Sequence, residues 1–197
     1  MDPQIGQLLA DSRTNERAGN IAAALELAQR ALEMARADGD PKAICSGFVH
    51  IATVHYRLGH YEQATQLAME ALTYADDVPD SANALLLIGL AAAESGDLSR
   101  AEEFFHRAAD LSRQIGYVAG RSWSLHNLAA LVYTIRGQFG LALATIEEAY
   151  RLNQESNEPN WGYPLLKAWI YLTTGDRQQV RQALEEVARI ALPGSLI

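Results

Sequence analysis

The chain has 197 residues and a net charge of −8, with 24 acidic against 16 basic side chains, a balance that repels phosphate backbones and argues against nucleic-acid binding by this segment. Its one cysteine, Cys45, excludes an internal disulfide and fits a reducing compartment. The longest uncharged apolar run, Ala82 to Ala93, falls short of the about 20 residues that span a bilayer, and no charged-then-apolar leader opens the chain, so a cytoplasmic protein without a membrane role is expected.

Alanine, leucine, glutamate and arginine dominate, valine and isoleucine are sparse, and proline and glycine fall between periodic segments, which favours helix throughout and no sheet. In chain order the periodicity predicts helices over 3–18, 20–37, 41–58, 60–76, 80–95, 97–115, 119–136, 138–155, 161–174 and 176–191. Gly19, Gly59, Gly96, Gly137 and Gly175 separate them in pairs, at intervals of 40, 37, 41 and 38 residues. Units of this length cannot bury an apolar face alone and must stack. The pattern gives one domain over 1–197, with units of about 1–40, 41–79, 80–117, 118–158 and 159–197.

Each glycine is followed by Asn20, His60, Asp97, Gln138 or Asp176, and Asn and Asp are strong helix N-caps. Seven residues before the glycines stand Ser12, Ala52, Gly89, Ala130 and Ala168; five after stand Ala24, Ala64, Ala101, Ala142 and Val180; twelve after stand Ala31, Ala71, Ala108, Ala149 and Val187. Small residues at these places allow two helices to cross closely. Larger residues such as Leu27, Leu67, Phe105, Ile146 and Leu184 complete a core stripe. In the fourth unit, "NLAALVYTIRGQF" has room for one extra residue, in keeping with the 41-residue interval.

Segments such as "HIATVHYRLGHYEQATQLAMEAL" (50–72) and "LIGLAAAESGDLSRAEEFFHRAA" (87–109) resemble the tetratricopeptide repeat family, in its longer variety of about 40 residues found in bacterial signalling and regulatory proteins and kinesin light chains. The resemblance implies an all-α, right-handed α-solenoid of five antiparallel helix pairs, with first helices lining a concave face and second helices the convex one. Asp11, Asn15, Lys167 and Arg177 depart from the apolar pattern in the terminal units, where one side of a solenoid faces water.

Catalytic chemistry finds no support. His50, His55 and His60 advance by five residues, about 140° on a helix, and share no face as metal ligands. The pairs Glu102–Glu103, Glu147–Glu148 and Glu185–Glu186 read as solvated faces, and no phosphate loop, nucleophile elbow or metal motif occurs. A non-enzymatic chain without cofactor or metal is expected.

The first helices of units two to four, "AICSGFVHIATVHY", "SANALLLIGLAAA" and "SWSLHNLAALVYTI", carry no charge, and that of unit five carries only Lys167. On the family's geometry, groove positions are Val49, Thr53 and Tyr56; Asn83, Leu86 and Leu90; Asn127 and Leu131; Leu165 and Trp169. Spacings of three and four keep each set on one helical face. Two readings stand: neighbouring helices bury these residues, or they form an apolar, nearly neutral groove for an apolar or amphipathic segment of a protein or peptide partner, with Asn83 and Asn127 bonding its backbone. The chain then reads as an interaction scaffold or adaptor, or as the sensor part of a larger regulator. A small-molecule effector domain is the alternative, as is a homodimer formed through the last helix, "RQQVRQALEEVARIAL", which only "PGSLI" follows.

Overall fold

Seven left-handed glycines among the described residues set the boundaries of the fold. Gly59, at φ +77°, ends its helix by bonding to Tyr56 O at 2.9 Å while His60 N reaches back to His55 O at 2.9 Å. This paired closure needs a residue without a Cβ penalty at positive φ. The same two bonds recur at Gly19, Gly96, Gly137 and Gly175, and again at Gly39 and Gly116 between pairs.

The computed structural model describes residues 2–75, 77–155, 160 and 162–191. Among these the chain forms ten α-helices and no strand: α1 (Pro3–Arg17), α2 (Ile21–Asp38), α3 (Pro41–Arg57), α4 (Tyr61–Ala71), α5 (Pro79–Glu94), α6 (Leu98–Gln114), α7 (Val118–Leu128), α8 (Phe139–Glu155), α9 (Gly162–Thr174) and α10 (Arg177–Ala191). The expected helix boundaries at Asp76 and Trp161, residues 156–159 between the helices expected over 138–155 and 161–174, and the segment 192–197 lie outside the described residues. The chain divides into two compact units, residues 1–111 and 112–197.

The helix starts follow the sequence with one exception. Asp97 accepts from Arg100 N and Asp176 from Gln179 N, each at 3.1 Å. Asn20 makes no such cap; its amide donates instead to Asn15 Oδ1 at 3.3 Å, a partner in the turn before it. Asp2 and Asp40 cap α1 and α3 in front of Pro3 and Pro41, where a missing amide hydrogen costs nothing. Helix α4 stops at Ala71 rather than running on to 76. Its chain tightens into three-residue turns, Thr73 N to Glu70 O and Tyr74 N to Ala71 O, and Tyr74 stacks on Phe48 at 5.6 Å.

Paired helices cross on small residues. Ala24, Ala31, Ala64 and Ala71 are fully buried in unit 1, as are Ala142 and Ala149 in unit 2. Ser12 adds a polar tie, its Oγ donating to Ala24 O at 2.8 Å across the α1/α2 crossing. Val180 and Val187 of α10 are half-buried, and Ala183 is the one buried residue of that helix.

The extra residue of the fourth unit is accommodated inside a helix. Helix α7 passes directly into a π turn, Ala129–Tyr133, closed by Thr134 N to Ala129 O at 3.0 Å. A π turn holds one residue more than the α-helical turn it replaces. The small position accordingly moves: Ala129 is fully buried and Ala130 half-buried, so the close contact lies eight residues before Gly137 instead of seven.

Gly89 shows how tight the crossings are. A Cβ there would lie 2.7 Å from two ring atoms of Phe105, a fully buried side chain on α6. Gly89→Ala is therefore expected to lower the unfolding free energy by about 1–3 kcal/mol in chemical denaturation, overpacking outweighing the smaller gain in helix propensity.

Candidate functional site

In unit 1 the first helix of each pair packs on the next, α1 on α3 and α3 on α5, so the three form one continuous layer. A cavity of about 240 Å³ opens in that layer. Helix α1 contributes Ser12, Arg13 and Glu16; α3 contributes Val49, His50, Thr53 and Val54; α5 contributes Asp80, Asn83, Leu86 and Leu87. The period of α3 puts Val49, His50 and Thr53 on one face, and Thr53 turns its hydroxyl back to Val49 O at 2.8 Å.

Charged side chains join the apolar, nearly neutral positions read from the uncharged helix centres. Arg13 and Glu16 arrive from α1, and Asp80 sits in the first turn of α5, just ahead of the uncharged stretch. Glu16 is paired with Arg57 at 3.0 Å. Asp80 accepts a short hydrogen bond from Ser46 Oγ on α3 and another from Asn83 Nδ2 at 3.2 Å. Burial is the main cause that pushes the His50 imidazole down to about 4, with Asp80 raising it and Arg13 lowering it further.

Unit 2 builds its core around a polar relay. Tyr163 of α9 is fully buried, with its hydroxyl 2.7 Å from Ser122 Oγ of α7. Ser122 spends its own hydrogen on Ala149 O of α8 at 2.6 Å, so the tyrosine donates and three helices are joined in one chain of bonds. His126 meets Tyr163 edge-on at 4.8 Å, and burial pushes its imidazole down to about 4. Leu165, Trp169 and Leu172 of α9 form an exposed apolar stripe.

Two family models match parts of the chain: Tetratricopeptide repeat over residues 80–155 and Anaphase-promoting complex subunit 5 over residues 9–88. Residues 80–155 thus resemble the tetratricopeptide repeat family. Solved structures agree on the fold. BtubC from P. vanneervenii is 18% identical with a TM-score of 0.78, covering 95% of this chain and 79% of that one. Nearly identical TPR-like repeats from Podosopora anserina, described as a kinesin light chain, are 16% identical with a TM-score of 0.67 and full coverage of both chains. The Rap conjugation gene regulator of plasmid pLS20, in complex with the Phr* peptide, is 17% identical with a TM-score of 0.75. That match covers 93% of this chain and 52% of the regulator, about half its length. At such identities the likeness is one of fold. No curated protein sequence matches.

Within this fold the positions named from sequence fall into separate places. Val49, Thr53, Asn83 and Leu86 meet at the unit 1 cavity. Tyr56 and Leu90 are half-buried outside its lining, and the Tyr56 hydroxyl donates to Glu94 Oε1 at 3.4 Å. Leu131 lies in the π turn, while Leu165 and Trp169 are exposed on α9. Neither asparagine is wholly free for a partner: Asn83 Nδ2 donates to Asp80, and Asn127 Nδ2 to Trp123 O at 2.8 Å. With the extra residue of the π turn counted, the place matching Val49 and Leu86 in the fourth unit is His126, not Asn127.

Sequence reasoning missed Arg13, Glu16, His50 and Asp80 as cavity residues. Arg13 and Glu16 stand six and three residues before Gly19, His50 nine before Gly59 and Asp80 sixteen before Gly96, so no shared repeat position marks them. The histidine series also resolves differently from a single-helix count. His50 enters the cavity, whereas His55 and His60 meet across the Gly59 turn with Nδ1 atoms 3.4 Å apart. Among the described residues no group of three or more His, Cys, Asp or Glu side chains is arranged to hold a metal.

His50 and His126 supply a pH test. Their folded values near 4 lie below the usual about 6.5 of an unfolded histidine. The stability they contribute is complete above about pH 6.5 and is lost as pH falls toward 4. Ring resonances of both are expected to stay in the neutral form at pH 6 and to titrate near 4 in NMR, and His50→Asn should flatten part of the loss of unfolding free energy over that window.

Proposed function

We propose that this chain is a non-enzymatic protein–protein interaction module, working as one array over residues 1–197, that docks an apolar or amphipathic segment of a partner on its first helices. The supporting observation is the cavity in the α1–α3–α5 layer, an opening of about 240 Å³ walled by Val49, Val54, Leu86 and Leu87. Its size suits one or two partner side chains, and its apolar walls reward their burial. The fold adds support, since the Rap regulator of similar fold is in complex with a peptide. No helix of the described residues is long and apolar enough to cross a membrane, and the proposed setting is the cytoplasm, as an adaptor or as the sensor part of a larger regulator.

Selection of peptides from a displayed random library against the chain tests this reading. Enriched sequences should carry apolar residues at helical or alternate spacing, and Leu86→Glu should weaken their binding by at least tenfold, the loss typical of a buried anchor. Leu141→Glu, at an exposed position on the second helix α8, should leave binding unchanged. Peptides equally bound by the Leu86→Glu variant, with its fold verified by circular dichroism, would remove the cavity from the interface.

A further inference from the structure

The cavity residues and the charge of unit 1 together carry an inference about what enters. It rests on the docking reading above and makes its chemistry specific. Residues 1–111 hold 17 acidic and 8 basic side chains, a net of −9, whereas residues 112–197 hold 7 and 8, a net of +1. The negative field of the protein thus belongs to the unit that contains the cavity, and such a field raises the local concentration of cations.

Inside the cavity the charges are unequally matched. Glu16 is neutralised by Arg57. Asp80 is held by two neutral donors, Ser46 Oγ and Asn83 Nδ2, and among the described residues it has no cation within ion-pair distance. A carboxylate has about four acceptor sites, so two are left. His50 lines the same space and is only 9% exposed, and among the described residues its ring nitrogens make no hydrogen bond. The imidazole is neutral at physiological pH because of burial, and so it adds no positive charge to answer Asp80. Arg13, on the opposite wall, is exposed and stands more than ion-pair distance from either carboxylate.

We propose that the cavity is the anchor pocket for a basic side chain, arginine or lysine, of the docked segment, with Asp80 taking the cationic head. Val49, Leu86 and Leu87 cover its methylene stem, an arrangement in which a long basic side chain buries its carbons and keeps its charge paired. The neutral His50 ring offers a further acceptor or donor to the same head group. Arg13 sets the direction: it repels a second cation from the α1 wall and favours a backbone carbonyl or carboxylate of the segment on that side.

The test uses the full chain and four probes: arginine blocked as N-acetyl and N-methylamide, the citrulline and glutamate compounds blocked in the same way, and free arginine. Binding is read by NMR from the amide shifts of Ser46, Asp80 and Asn83 and the ring signals of His50. Blocked arginine should give saturable shifts at these four residues. Citrulline, the same shape without charge, should bind at least tenfold more weakly, a comparison that needs no variant. Asp80→Asn should reduce arginine binding at least tenfold with unchanged thermal stability, and Asn83→Lys, which supplies a cation from within, should also block it. Equal binding of citrulline and arginine, preference for blocked glutamate, or shifts insensitive to Asp80→Asn would overturn the proposal. Tighter binding of free than of blocked arginine would also overturn it and assign the cavity to a zwitterionic small molecule. The two failures are distinguishable: Leu86-dependent peptides lacking a basic residue would sink the anchor and leave the docking surface, whereas loss of all Leu86 dependence would sink both.

Discussion

The close approach of two helices at a residue with almost no side chain is the constraint on which the rest of the structure depends. Alanine on one helix, or Ser12 and Gly89 on the other, lets backbones meet nearly directly, as the 2.8 Å bond from Ser12 to Ala24 O and the Phe105 ring against Gly89 demonstrate. A pair crossed this tightly leaves its large side chains to project at the edges of the crossing, where they reach the next helix. Layers then follow from pairs: α1, α3 and α5 stand side by side because the small positions put their broad faces in one plane. The cavity is a product of the same geometry, lying where three such faces fail to fill the layer between Val49 and Leu86.

Polar groups within this framework are placed economically. Hydroxyls replace alanine where a neighbouring helix offers a carbonyl, as at Ser12 and at Ser122, and the second of these also receives Tyr163. Each such bond satisfies a group whose burial alone would cost about 1–3 kcal/mol. Asp80 is treated differently. Its two neutral partners hold it in position without cancelling its charge, and that contrast between a positioned and a neutralised carboxylate separates a binding residue from a structural ion pair such as Glu16–Arg57.

Much of the fold was legible because local and global signals coincide. A glycine that closes a helix, a small residue seven positions before it and alanines five and twelve after it all express one geometry, so each reading reinforced the others. The places where legibility failed have specific causes. Asn20 has the chemistry of a cap, but Asn15 competes for its side chain. Helix α4 ended early because turn hydrogen bonds and the stacking of Tyr74 on Phe48 outcompeted a continuous apolar pattern. The cavity's charge was hidden for another reason: the uncharged windows began after Asp80, and the histidines were judged on one helix, although a turn lies between His55 and His60. Whether a face is buried or open depends on how neighbouring helices fill a layer, which no single helix encodes; Val49 is buried while Leu165, at the same place in its own unit, is 41% exposed.

The π turn after α7 separates two quantities that repeat proteins ordinarily keep tied, the number of residues in a unit and the spacing of its packing surfaces. Insertions are usually consigned to loops, where they leave helices untouched and alter only the path between them. Here the surplus is stored within the helix itself, ahead of Gly137, and α8 begins in the same relation to that glycine as its counterparts do to theirs. Side chains upstream of the turn are rotated by one residue's worth of helix, which exchanges an asparagine for a histidine at the place matching Val49 and Leu86. A single added residue can in this way rewrite the chemistry of a surface while leaving its scaffold in place, a route to new specificity that requires no substitution at the surface.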